Sequence, residues 1–209
     1  MSANISPPSI NPTDYGSLTG IMQFVLSKFL QGVDDMLPAQ VVSYNRTKNR
    51  AQVQPLVPMV TTDNIIVQRG ELQSVPVQID GGGSFMVSFP VQPGDLGYIK
   101  ANDRDISLFL QSLQNAQPNT ARKHSFEDAV FIPAVLAGYT IASGDAENLV
   151  IQSLSGNVKI SLGAISISIE APTVTIQSTS GNTTIDGKEF LPHVHSGVTP
   201  GGSDTGPVG

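Results

Sequence analysis

Three hydrophobic periods succeed one another along this chain. From Ser17 to Met36 apolar residues recur at three- and four-residue steps, placing Met22, Val25, Phe29, Val33 and Met36 on one stripe, the mark of an amphipathic helix. Ser17 or Thr19 can cap its start, and Leu37-Pro38 is expected to end it, because the residue before a proline is pushed out of the α region. The stripe either packs on its own domain or docks into a partner; its pattern does not choose. Between residues 38 and 133 the period drops to two. Strands are predicted at Val41–Tyr44, Ala51–Gln54, Asn64–Val67, Ser74–Gln78, Ser84–Phe89, Gly97–Ala101 and Ala129–Pro133. Asp80-Gly81-Gly82-Gly83 and Pro93-Gly94-Asp95 supply turn chemistry between them. Short strands so spaced predict a small barrel or sandwich, and a five-stranded OB-type barrel fits best.

From about Glu147 a third pattern begins. Leu149, Ile151, Val158, Ile160, Ile165, Ile167, Ile169, Val174, Ile176 and Ile185 alternate with small polar residues, and Ser155-Gly156-Asn157, Leu162-Gly163 and Ser180-Gly181-Asn182 interrupt them. Isoleucines at 151, 160, 167, 176 and 185 stand nine, seven, nine and nine residues apart, so one strand and one tight turn form the repeat. No aromatic residue lies between Tyr139 and Phe190. A segment of this size cannot wrap a core around itself, and one copy would make a thin sheet with open edges. Three copies around an axis would bury the isoleucine faces together, threefold being the simplest closure. The alternative is an ordinary meander packed on the first domain. The expected organisation is mainly β: an arm and amphipathic helix over 1–36, an OB-fold domain over 37–134, a linker over 135–146, a trimeric β-helix over 147–189 and a tip over 190–209.

Composition narrows the function. Hydrophobic residues are 39% of the 209, but charged ones only 13%, about half the usual share, so uncharged polar residues cover the surface. The net charge of −6 and the lack of a basic stripe argue against nucleic acid as a partner. No cysteine is present, which removes disulfides and thiolate metal sites. Met1 to Asp14 reads as a Pro/Ser/Asn arm without a secretory signal, so folding in the cytosol is expected. The most apolar stretch, Ile21 to Leu30, includes Lys28 and is too short to span a bilayer.

No catalytic residues stand out. There is no nucleophile elbow, zinc-protease run or phosphate loop, and no small-molecule substrate is expected. Asp34-Asp35 reads as a solvated helix end, and Asp103, Arg104 and Asp105 as a turn or surface charge network. His124 is expected in an exposed loop, beside Arg122 and Lys123, which could meet an acidic partner surface. The pair His193 and His195 carries the sharper possibility, because residues i and i+2 of a strand share a face. One chain offers too few imidazoles for a closed site, whereas three chains offer six, an octahedral set. The alternative is a pair of surface histidines.

Several segments together resemble a known family. Met36–Tyr44 followed by Asn49–Leu56, Val75-Pro76-Val77, Ser88-Phe89-Pro90, Pro93–Gly97, Arg104–Ser107 and Arg122–Pro133 are similar to the OB domain of membrane-piercing central spikes of contractile phage tails, the baseplate assembly protein V group. The Ile/Ser repeat resembles that family's triple-stranded β-helix, and His193-Val194-His195 with Gly201-Gly202 and Gly206-Pro207 its metal-bound apex. The resemblance implies a homotrimer without enzymatic activity, seated on a tail hub protein at the baseplate tip of the virion, which pierces the host outer membrane when the sheath contracts. Six-nitrogen ligation disfavours zinc and allows iron, cobalt or nickel; the resemblance implies one iron ion per trimer. A trimeric carbohydrate-binding tail fibre or adhesin is the competing reading. Only a short Gly/Pro-rich stretch after the repeat, too small for a sugar pocket, favours the spike.

Overall fold

The structure is a computed structural model in which residues 16–61, 65–179 and 183–189 are described. It divides into two compact units, Met1–Gly138 and Tyr139–Gly209. Helix α1 spans Leu18–Gln31; Ser17 caps it, its Oγ accepting from the Gly20 amide at 3.1 Å. The helix stops well before Leu37-Pro38. The Asp34 amide donates to the His124 carbonyl at 2.9 Å, and the Ala101 amide donates to the Asp35 carbonyl at 2.8 Å. These bonds to the barrel need extended backbone, so Met36 belongs to the first strand and Val33 lies past the helix end, both off the expected stripe.

Five strands build the first unit: β1 (Met36–Asn45), β2 (Arg50–Pro55), β3 (Leu72–Pro76), β4 (Leu96–Asn102) and β5 (Ser125–Pro133). They pair antiparallel in the order β3-β2-β1-β4-β5. Just beyond β3, Val77 bridges Phe131 in parallel, and the Gln78 amide donates to the Phe131 carbonyl at 2.8 Å. The sheet thereby nearly closes on itself, the arrangement of an OB-type barrel.

Alternation fills this barrel. Ala51, Val53 and Pro55 of β2 and Gly97, Ile99 and Ala101 of β4 turn inward, their neighbours outward. Phe131, Ile99, Val41 and Val53 are the largest fully buried side chains. Gly97 has a packing reason: a Cβ there would lie 2.3 Å from the Ile132 carbonyl oxygen and 2.6 Å from the Phe131 ring. Short ladders join residues 59–60 to 66–67 and 80–82 to 85–87, the second turning through Gly83 at φ +59°. The expected strand at 64–67 is reduced to Ile66–Val67, and Asn64 lies outside the described residues. A six-residue helix, α2 (Ser107–Ser112), sits in the excursion between β4 and β5.

The second unit contains a three-stranded antiparallel meander, β6 (Leu149–Gln152), β7 (Lys159–Leu162) and β8 (Ile167–Glu170). The predicted turn at Ser155-Gly156-Asn157 is present, with Gly156 at φ +76°. Thr184–Ile185 pairs with Lys188–Glu189 in a further short ladder. The strand expected around Val174 and Ile176 is not formed. Among the described residues no strand pairs with them, and an extended segment without a pairing partner is not a strand.

Candidate assembly surface

The meander has two chemically distinct faces, fixed by its register. Leu149 faces Leu162, which faces Ile167; Ile151 faces Ile160, which faces Ile169. Six large aliphatic side chains therefore form directly opposed cross-strand pairs on one side, and all six are exposed to solvent. On the other side Val150, Ser161 and Ser168 form one row and Gln152, Lys159 and Glu170 the next.

The polar face is the covered one. Asp145, from the turn Ser143–Asp145, reaches over it. Its carboxylate accepts from Lys159 Nζ at 2.6 Å, from Ser161 Oγ at 2.6 Å and from Asn148 Nδ2 at 3.2 Å, while Asn148 also donates to Ser161 Oγ at 3.0 Å. Lys159 extends the network to Glu170 at 3.4 Å. Hydrogen bonds from Lys159, then Ser161 and Asn148, hold the Asp145 carboxyl down from its ordinary range to about 2. Among the described residues of this unit, Asp145 and Ser161 are the only buried ones. The second unit is thus inverted in a single chain, with polar groups inside and isoleucines out. The sequence marks the isoleucine face but not Asp145, whose partners Lys159 and Ser161 lie 14 and 16 residues away.

A carboxylate depressed in the folded state stabilises it above the ordinary carboxylate range and stops doing so as pH falls through the depressed value. Thermal unfolding of the full chain should therefore be steady from neutrality to about pH 5 and lose stability between about pH 4 and pH 2. Asp145→Asn should lower the melting temperature at neutral pH and flatten that acid limb for the second unit. An unchanged acid limb in the variant would remove Asp145 from the account.

The barrel carries two further polar nodes that the sequence misjudged. Asp105 is buried, not a surface charge; it accepts from the Ser107 amide at 2.9 Å and from Thr120 Oγ1 at 2.8 Å. Hydrogen bonds from Ser107, then from Thr120, with the Arg122 charge nearby, drive its carboxyl well below the usual range. Arg122 is engaged inside the chain, reaching Asp128 through Nε and Nη2 at 3.0 and 3.1 Å and Glu127 at 2.9 Å. Asp103 instead pairs with exposed His124 at 2.8 Å. Both oxygens of Asp105 are taken, so it and Asp103 form no catalytic carboxylate pair. Asp34 is likewise no solvated helix end, since it binds Arg69 at 3.0 Å and the Phe126 amide at 3.1 Å.

His193 and His195 lie outside the described residues. Among the described residues no group of three or more His, Cys, Asp or Glu could hold a metal ion, and no helix is long and apolar enough to cross a membrane.

Residues 37–134 match the family described as phage protein Gp138 N-terminal domain. That span covers all five barrel strands except Met36, the first residue of β1. No curated protein matches the chain.

Proposed function

We propose, from the match of residues 37–134 to the phage protein Gp138 N-terminal domain family, that this chain is the membrane-piercing spike of a contractile tail, closing the tube until contraction drives it through the host outer membrane. It is a structural virion protein of the baseplate and tail apparatus. In this reading the first unit faces the tail hub, three copies of the repeat wind into one β-helix, and residues 190–209 form the apex. The observation that carries it is the inverted second unit: Asp145 and Ser161 buried, six opposed aliphatic side chains exposed. Full burial of an aliphatic side chain contributes about 1.5–3 kcal/mol, of which these partly covered residues would gain a share, and two further copies would supply that cover by symmetry. A shaft filled by aliphatic side chains is rigid, as force transmission requires.

At the apex, His193 and His195 of three chains would hold one octahedrally ligated ion, iron in keeping with the family resemblance; the donor set fits, being all imidazole and even in number. Such an ion would join three chain ends where the cross-section is too small for a core. The purified protein should sediment as three 22.0 kDa chains and contain one metal ion per three chains. A His193→Ala, His195→Ala double variant should lose the metal and remain trimeric. A folded monomer at micromolar concentration would overturn the spike, whereas a metal-free trimer would overturn only the apex.

A further inference from the structure

Helix α1 presents an apolar surface that the barrel leaves uncovered. Apart from Gly20, every residue from Leu18 to Gln31 is exposed or half-buried, and Leu18, Met22, Val25 and Phe29 are all more than half exposed. Their spacing of four, three and four residues is that of a helix whose anchors enter a groove. Ile21 and Leu26 flank them on either side, so at 3.6 residues per turn roughly half the circumference is apolar. Lys28, the single charged residue of the helix, leans on the Phe24 ring at 5.7 Å and leaves that arc clear.

The helix is also held at its root. Asp34 receives Arg69 Nη1 and the Phe126 amide on its two oxygens, while its own amide binds the His124 carbonyl. The Asp35 carbonyl receives the Ala101 amide, and the Arg69 guanidinium lies 5.4 Å from the Phe126 ring. Such a clamp fixes the departure direction of the helix from the barrel and reduces the ordering cost of docking.

Resting on the baseplate reading above, we infer that α1 inserts into an uncharged apolar groove of another tail protein and is the element that seats the spike. Other occupants fit less well. Fourteen residues give two heptads, short of the three or four that a coiled coil between copies requires. An apolar arc this broad exceeds a two-residue seam but suits a groove with walls on both sides. A membrane surface is disfavoured because the helix lacks the Lys/Arg-rich polar face of interfacial helices.

The test uses the full-length chain supplied to tails that lack their own copy. Val25→Lys places a charge in the arc, and lysine is a better helix former than valine, so the helix and barrel persist. Incorporation should fall about tenfold or more, the effect of losing one buried anchor, with trimer mass and melting temperature unchanged. A photoreactive residue at position 25 of otherwise wild-type chain should cross-link in assembled tails to a different polypeptide. Cross-links only to copies of this chain, no cross-link in incorporated chain, or binding of the wild type but not the variant to anionic lipid vesicles with incorporation equal, would each overturn the inference. Absence of the wild-type chain from tails would instead overturn the baseplate reading on which it rests.

Discussion

Ile160→Asp should convert the trimer into monomers whose barrel remains folded. Ile160 sits at the centre of the meander, directly opposite Ile151 on one side and Ile169 on the other. In one chain it is already exposed, so an aspartate there costs the isolated sheet little beyond β propensity. In the proposed trimeric shaft the same substitution would bring three carboxylates toward one axis, each unpaired and each costing several kcal/mol. This contrast makes the variant informative: the damage appears only if the face is covered by other copies. Sedimentation should give the 22.0 kDa chain at concentrations where the parent is a trimer, with the barrel's melting transition preserved. A variant that stays trimeric would place the interface elsewhere. Ile160→Val, which keeps the aliphatic face, should stay trimeric.

Phe131→Ala should have the opposite signature, loss of the barrel. The ring is fully buried, its edge fills the space that Gly97 leaves open, and its backbone takes part in the bridge to Val77 that closes the sheet. Removing a buried phenylalanine typically costs about 3–5 kcal/mol, against about 5–15 kcal/mol of total stability for a domain. The barrel's melting temperature should fall by more than about 12 °C, on the scale of 4–8 °C per kcal/mol for a domain of this size. Calorimetry of the full chain measures it; a loss below about 1 kcal/mol would mean that the ring is not central to the core. A Gly97→Ala substitution in that background should not recover the loss, because its Cβ would still lie against the Ile132 carbonyl oxygen.

The local elements were legible because their causes are local. Ser17 caps α1 through its own hydroxyl, the period-two alternation of Ala51-Gln52-Val53-Gln54 is the alternation of a half-buried strand, and Gly156 supplies the positive φ of its turn. Those patterns, with the isoleucine repeat, determined a mainly β chain containing a small barrel and a separate aliphatic strand segment. What the sequence left open depends on partners far apart in the chain. The C-terminal end of α1 was misplaced because hydrogen bonds to His124 and Ala101, not Pro38, draw residues 34 and 35 into extended backbone. Asp105 and Asp34 read as surface or solvated acids and Asp145 does not stand out, yet each is held by donors from as few as two and as many as 92 residues away. The period of the repeat established that one strand face is apolar; only the tertiary structure decided which face is covered within the chain. A carboxylate with three donors around it fixes the polar side in place, while the opposed aliphatic pairs of the other side stay on the surface of the single chain.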